Sequence, residues 1–460
     1  MAPMPFPKTT LRVAFLAVAV AHVSAFAVVS CTDAATPAET VATDAAAPET
    51  STPTPAKDGG VVDDASLDAG SNLDAAEAGA VTCAVTPCAV RIAAGNDHAC
   101  ALMSDRTLRC WGANYWGQAG QTLPADGGQG PSVLTATRIA GLANVRAVTL
   151  GAEHSCALLD GDVVRCWGSN KYAQLGQPAD GGESFTATLT TVPTTGTLAD
   201  VVAGFFHTCA LRTNGTIQCW GNNAQNQMGA LLADGGSLGA YVSTPAESGL
   251  SGVKQLDVGG RFGCGLLGDG GVSCWGTNAS AELGRGTSGA SDPASAPVVG
   301  VPGVVTRVGR SLGYGEGIIL SDQTVRLWGW NNHGQLGPAT DAGLSGTMVP
   351  LGLGGVVDLG IGGGTSCAVT SDGGAACWGA TALGAAGAVP DGGASQPTPG
   401  QVGGVSDAVQ VAVGWDGFAC VLRKDGSVAC WGNNYLGDLG RGPGASGVAY
   451  DRVAAPVLFP

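Results

Sequence analysis

Beyond residue 30 the chain has no stretch in which apolar residues recur with a helical period. That excludes helical and α/β domains and leaves short strands as the expected element. Charge is scarce: Asp, Glu, Lys and Arg make up 12% of the residues, and the 21 bases form no stripe able to neutralise a phosphate backbone. Nucleic acid is therefore excluded as a partner class. Chemical machinery is missing too. No nucleophile elbow, H-E-x-x-H, P-loop or dinucleotide fingerprint occurs, so the sequence implies no enzyme and no cofactor. The loops carrying Asp126, Asp180, Asp234 and Asp391 read Asp-Gly-Gly without the spaced ligands of a calcium loop, and they are expected to be turns.

In their place stand abundant glycine, 76 of 460 residues, and a period. Trp-Gly recurs at Trp111, Trp167, Trp220, Trp275, Trp328, Trp378 and Trp431, in steps of 56, 53, 55, 53, 50 and 53 residues. A period of this length overrides the two or three domains the length alone suggests and predicts one array of seven units over residues 81–460. Each unit opens on a strand ending in Gly, such as Val90–Gly95. Two variable residues, a hairpin and Trp-Gly follow, then a turn with Asn three positions past Trp that closes on Gln-Leu-Gly or a relative (Gln174-Leu175-Gly176). A variable loop leads to a Pro-containing strand, which is read as the start of the next unit.

The hairpin is clearest in the last copy, Cys420 to Gly432. Apolar residues alternate on both sides of Asn214-Gly215, Asp269-Gly270, Asp372-Gly373 and Asp425-Gly426, the signature of two strands around a tight turn. With a three-residue loop ending in Gly, Arg212 faces Thr216 and Cys209 falls opposite Cys219, at a pair spacing of about 4.5 Å that a disulfide can span. The same register pairs Cys100 with Cys110, Cys156 with Cys166, Cys264 with Cys274, Cys367 with Cys377 and Cys420 with Cys430. Reduced core thiols are the alternative. Metal is disfavoured, because zinc wants about four converging ligands at shorter spacing. The fifth unit lacks both cysteines; its turn, Ser321-Asp322-Gln323-Thr324, reads as one residue shorter, which puts Ile318 and Leu327 in their places.

Before the array, Lys8 and Arg12 precede an apolar run from Val13 to Val29, a secretory signal over residues 1–30. Val28-Val29-Ser30-Cys31 resembles the lipobox of bacterial lipoproteins, in which the Cys is lipidated and becomes the mature N-terminus. Val28 stands where Leu is commoner, so an ordinary cleaved signal or an uncleaved anchor is the alternative. Lipid on Cys31 holds a protein at a membrane surface without spanning it. Residues 31–80 carry ten acids against Lys57 and almost no large apolar side chain, the composition of a disordered acidic tether. Cys83 and Cys88 flank Thr86-Pro87 and are expected to pair. That leaves Cys31 as the one unpaired cysteine of 15, a usage that fits an oxidising compartment.

The layout V-x-x-G-x-x-H-x-x-A-L-x-x-D-G-x-V-x-x-W-G-x-N-x-x-G-Q-L-G resembles the regulator-of-chromosome-condensation repeat over about residues 89–460. That resemblance implies an all-β, seven-bladed β-propeller of four-stranded blades. The chain stops after Pro456-Val457-Leu458, read as the opening strand of an eighth unit, so closure is expected by pairing of the N- and C-terminal segments to complete one blade from both ends.

His98, His154 and His207 share one position of the repeat, occupied elsewhere by Phe262, Glu316, Thr365 and Phe418, and read as structural histidines, not as a metal ring. The two residues after the strand-ending Gly form a ring of equivalent loops. Large aromatics stand there at Phe205-Phe206, Tyr314-Gly315 and Trp415-Asp416. Exposed aromatics anchor interfaces, whereas burial against a neighbouring blade is the structural alternative. Tyr115, Trp116, Tyr172 and Tyr435 form a second aromatic group, in the post-Trp turns. The functional expectation is an exported, membrane-anchored scaffold binding a protein or glycan through Phe205, Phe206, Tyr314, Trp415 and Asp416. The alternatives are guanine-nucleotide exchange on a small GTPase, which the resemblance implies and the export signal opposes, and an enzyme using carboxylates about 5–9 Å apart in the central channel.

Overall fold

The computed structural model describes residues 81–126, 128–179, 184–229, 238–381, 384–386, 395–443 and 449–460. The expected signal, Cys31 and the tether lie outside them, as do Asp180, Asp234 and Asp391.

Seven sheets follow one another along the chain. Blade one is β1 (Ala89–Ala94), β2 (His98–Met103), β3 (Leu108–Gly112) and β4 (Val133–Arg138). Blade two is β5 (Val145–Leu150), β6 (His154–Leu159), β7 (Val163–Ser169) and β8 (Phe185–Val192); blade three is β9 (Leu198–Ala203), β10 (His207–Arg212), β11 (Ile217–Asn222) and β12 (Tyr241–Glu247). Blade four is β13 (Val253–Val258), β14 (Phe262–Leu267), β15 (Val272–Asn278) and β16 (Gly289–Pro297). Blade five holds β17 (Val305–Val308), β18 (Arg310–Ser311), β19 (Gly315–Leu320), β20 (Val325–Trp330) and β21 (Leu344–Pro350). Blade six is β22 (Val356–Ile361), β23 (Thr365–Thr370), β24 (Ala375–Ala380) and β25 (Ser395–Gln401); blade seven is β26 (Ala408–Val413), β27 (Phe418–Arg423), β28 (Val428–Asn433) and β29 (Tyr450–Pro456). Within each blade the long strands pair antiparallel in chain order, and β18 crosses over to pair in parallel with β22 of blade six. The first strands of neighbouring blades touch one another around the axis. This is the seven-bladed propeller that the repeat implied.

The Pro-containing strands belong to the unit before them, not the one after. β29 pairs with β28, Asn433 opposite Tyr450, so every blade is finished by its own outermost strand. Proline fits there because an outer edge has no further strand to receive its missing N–H. The chain ends still close the ring, without exchanging a strand. Thr82, Ala84 and Ala89 donate to Lys424, Asp425 and Gly426 of blade seven, while Ala136 in blade one donates to Leu458 O at 3.0 Å.

The core is a set of layers between blades. Seven buried clusters each join side chains of two successive blades, the one containing Ile92, Trp111, Phe418 and Leu439 joining the last to the first, and an eighth gathers Ala152, Phe205 and Leu312. The seven Trp of Trp-Gly are all fully buried. Each indole N–H donates to a main-chain oxygen in the preceding blade, seven residues past that blade's own Trp: Trp167 to Gln118, Trp220 to Gln174, Trp275 to Gln227, Trp328 to Glu282, Trp378 to Gln335, Trp431 to Ala385. The Gly after each Trp has φ between +96° and +107°, a conformation disfavoured for side-chain-bearing residues, which fixes the dipeptide.

Each hairpin has the register derived above. Cys209 faces Cys219, Arg212 N donates to Thr216 O at 2.9 Å, and Gly215 takes φ +80°. Disulfides join the six hairpin pairs, Cα atoms 4.0 to 4.1 Å apart, and also Cys83 to Cys88. Blade five departs from the expectation. Leu320 N donates to Thr324 O, so its turn has the full three residues, with Gln323 at φ +61° in the glycine's place. The register sets Gly317, not Ile318, opposite Leu327. Apolar branches fill the space of the missing disulfide: a Cβ on Gly317 would lie 2.7 Å from both Leu327 and Leu359.

Candidate binding face around the propeller axis

One face of the ring carries the loops after the innermost strands together with the post-Trp turns. The two are stitched by main-chain bonds such as Ala113 N to Asp97 O, Asn222 N to Phe206 O and Trp330 N to Tyr314 O. The opposite face carries the hairpin turns, where Thr82 N donates to Lys424 O.

Around the axis the loops hold one another. Ala152 N donates to Phe205 O, Phe205 N to Gly260 O and Gly260 N to Gly313 O, while Trp415 N reaches Gly95 O across the closure. The strand-ending glycines make this approach possible. A Cβ on Gly95, Gly151 or Gly204 would meet the main-chain oxygen of the next blade's glycine at 2.2 to 2.6 Å. Two loops depart from the repeat's layout. In blade seven Gly414 N donates to Phe418 O, leaving Trp415, Asp416 and Gly417 as a three-residue loop. In blade five Gly315, opposite Gly329, takes the place His98 holds opposite Gly112, so the loop pair is Gly313-Tyr314 and Glu316 is not the histidine equivalent.

The aromatic residues of blades three, five and seven, separated by 109 and 101 positions in sequence, meet over the axis. Phe205 is buried, its ring centroid 4.6 Å from Trp415 and 5.6 Å from Tyr314, and Trp415 and Tyr314 lie 5.2 Å apart, all edge to face. Phe206, Tyr314 and Trp415 stay partly exposed around it. Burial and exposure thus both occur, divided between members of one cluster. The network continues outward. Phe206 contacts Phe205 and Tyr172, Tyr172 contacts the exposed Tyr241, and on the other side Tyr314 contacts Trp330, which contacts His333. Of the post-Trp aromatics only Tyr172 joins this set by a described ring contact; Trp116 pairs with Phe185, and Tyr435 is exposed. Trp330 and His333 carry no repeat position that marks them; their membership follows from the loops that bring them beside Tyr314.

Beside Trp415 lies a group of acids. Burial and the neighbouring Asp416 push Asp97 up to about 7. Partial desolvation raises Asp416, although the residue is exposed, and burial holds Asp438 well above the usual carboxylate range, with Asp97 adding to the latter. Asn433 Nδ2 donates to Asp416 at 3.0 Å and Asn96 Nδ2 to Asp97 at 2.6 Å. A second carboxyl pair lies near the channel, Asp257 and Glu316, both buried. Burial, and then the charge of Asp257, hold Glu316 well above the usual carboxylate range, and burial lifts Asp257 to about 7.

Two of the repeat histidines are inter-blade struts. His98 Nε2 lies 2.9 Å from Ser155 Oγ, and His154 Nε2 lies 2.8 Å from Thr208 Oγ1. Burial drives both pKa values down to about 3 and that of His207 to about 4, so all three are neutral. Among the described residues no group of three or more His, Cys, Asp or Glu has a metal-holding arrangement.

Four segments, residues 89–118, 145–174, 199–227 and 408–438, match the model of the regulator of chromosome condensation (RCC1) repeat. The RCC1 domain-containing protein RUG3, mitochondrial, from Arabidopsis thaliana is 29% identical over 51% of this chain and 54% of its own length, so the chain spans about half of that relative. The ultraviolet-B receptor UVR8 of the same plant is 27% identical over 76% of this chain and 78% of its own. Among solved structures, yeast RCC1 (Prp20) bound to Kap60 aligns with a TM-score of 0.63 at 20% identity over 76% of this chain and 83% of the other. Human WBSCR16 aligns with 0.61 at 22% identity over 74% and 88%. Fold and register agree with these matches: the chain is a seven-bladed β-propeller, and four of its blades match the RCC1 repeat model.

Proposed function

We propose that this protein is an exported, lipid-anchored binding scaffold that presents the aromatic face of its propeller to a protein or glycan partner. The observation that carries the reading is the continuous run of rings from Tyr241 through Phe205 to His333 across the axis. Large rings clustered at a surface are what interfaces use as anchors, because they bring much contact area at little cost in side-chain entropy.

Exchange of guanine nucleotides draws less support. The Saccharomyces cerevisiae Prp20p structure is described with its binding properties to Gsp1p and histones, but at 20% identity the likeness carries the fold alone. Crosslinking in the native envelope, followed by capture, tests the scaffold reading. Capture of one defined partner by the wild type, lost in Phe206→Ser/Tyr172→Ser and kept in Lys424→Ala on the opposite face, is the expected outcome; equal capture by all three would refute the chosen face. Mass spectrometry of the mature N-terminus tests the anchor, which a chain starting elsewhere than an acylated Cys31 would disprove.

A further inference from the structure

On the aromatic face, between blades five, six and seven, lies a pocket of about 210 Å³ walled by Trp330, His333, Trp415 and Asp416 over a floor of Gly363 and Gly364. It is smaller than the roughly 300–1,000 Å³ of small-molecule sites and fits a single side chain. The walls are held in place. Gln335 accepts from His333 N at 3.0 Å and donates to Gly363 O at 3.4 Å, tying wall to floor. The floor has to be glycine, since a Cβ on Gly363 would lie 2.7 Å from the Trp415 ring and one on Gly364 3.0 Å from that of His333. Asp416 is exposed at the rim, oriented by Asn433.

Resting on the scaffold reading above, we propose that this pocket receives an arginine side chain of the partner, its guanidinium stacked against the indoles and paired with Asp416. Aromatic walls with one carboxylate suit a cation, and a planar guanidinium, weakly hydrated and forked, suits stacking and carboxylate pairing together better than an ammonium. Charge agrees. The inner loops of this face carry Asp97, Glu153 and Asp416 against Arg261, and its post-Trp turns carry Glu282 and Asp438 against Lys171. The same face already holds one cation over a ring, Lys171 at 5.6 Å from the centre of Tyr172.

The test is titration of the purified protein with N-acetyl-arginine amide and its neutral isostere N-acetyl-citrulline amide, followed by the indole resonances of Trp330 and Trp415. The arginine probe should shift both indoles saturably. Citrulline should bind roughly tenfold more weakly, as should arginine to Asp416→Asn and to Trp330→Leu, since tenfold corresponds to the loss of one ion pair or cation–π contact. Matching thermal midpoints will show that the variants fold. Equal binding of the two probes, an unaffected Asp416→Asn, or no saturable shift would overturn the assignment. Partner capture lost in Phe206→Ser/Tyr172→Ser but unchanged in Asp416→Asn would sink the arginine pocket and spare the scaffold. Saturable arginine binding without face-dependent capture would do the reverse.

Discussion

Trp111 Nε1 donates to the main-chain oxygen of Asp438 at 2.9 Å, across 327 positions of chain. This is the same latch that joins every other neighbouring pair of blades, here made between the first and the last. The ring therefore closes on the repeat's own interface, and the last blade contributes Asp438 where four others contribute Gln.

Replacing Trp111 with Phe removes the donor and leaves Asp438 O buried without it. An unsatisfied buried acceptor costs about 1–3 kcal/mol, and the smaller ring adds a cavity. The expected result in urea is a loss of that order, matched by Trp220→Phe, whose latch lies between blades adjacent in sequence. In native-state hydrogen exchange the two should differ. Trp111→Phe opens blades one and seven together, and exchange confined to blade one would show that the closing latch is not coupled to both ends.

Blade five offers a test of register. Leu327→Cys with Gly317→Cys should form the missing disulfide, because those two residues face each other and the remaining obstacle is the movable tip of Leu359. Leu327→Cys with Ile318→Cys should not, since Ile318 faces Arg326. A ring of this size stabilises by roughly 3 kcal/mol in the loop-entropy model. Peptide mapping without reductant decides it: a 318–327 link, or free thiols at 317 and 327, would mean that the hairpin is read one residue out.

The hairpins, the cysteine pairs and the seven-fold repeat were legible because tight turns fix register, and each is local. Two kinds of feature were not. Insertions that leave the Trp-Gly spacing within its normal scatter, such as the extra residue before Gly315 and Gly417 after Asp416, are invisible without knowing which main-chain bonds the loop makes. Membership of a strand in one blade or the next is equally hidden. A Pro-containing strand after a variable loop looks alike whether it ends a unit or begins one, and only the pairing of Tyr450 with Asn433 decides. The aromatic cluster was half legible: Phe205, Tyr314 and Trp415 stood out as large residues in turn positions, while Trp330 and His333 come into it through tertiary packing alone.

Asp358 gathers three blades at one carboxylate. It is almost fully buried and lies 3.3 Å from Arg307 and 3.1 Å from Arg310 of blade five, and it accepts from Val411 N of blade seven at 2.8 Å. Asp358→Ala strands the buried Arg307 without its counter-charge, a change that costs about 3–5 kcal/mol. Chemical denaturation measures it. A loss below about 1 kcal/mol, the range of exposed pairs, would mean that solvent reaches this junction.

The buried histidines make stability depend on pH. His154 has a folded value of about 3 against 6.5 for the free side chain, so between those limits the unfolded chain binds the extra proton. Its contribution is whole above about pH 6.5 and is lost as pH falls through the window, at about 1.4 kcal/mol per unit. Asp257, lifted from 3.8 to about 7, has the opposite slope, whole below about pH 4 and lost as pH rises through 7. The two partly cancel in the wild type, so the readout is the difference from His154→Gln, whose amide keeps a polar partner for Thr208 and cannot titrate. Wild-type stability relative to that variant should be constant above pH 7 and fall on acidification, by on the order of 4 kcal/mol at pH 3. A difference that stays flat down to pH 4 would mean that His154 is already charged inside the fold, and the hydroxyl of Thr208 alone would not account for it.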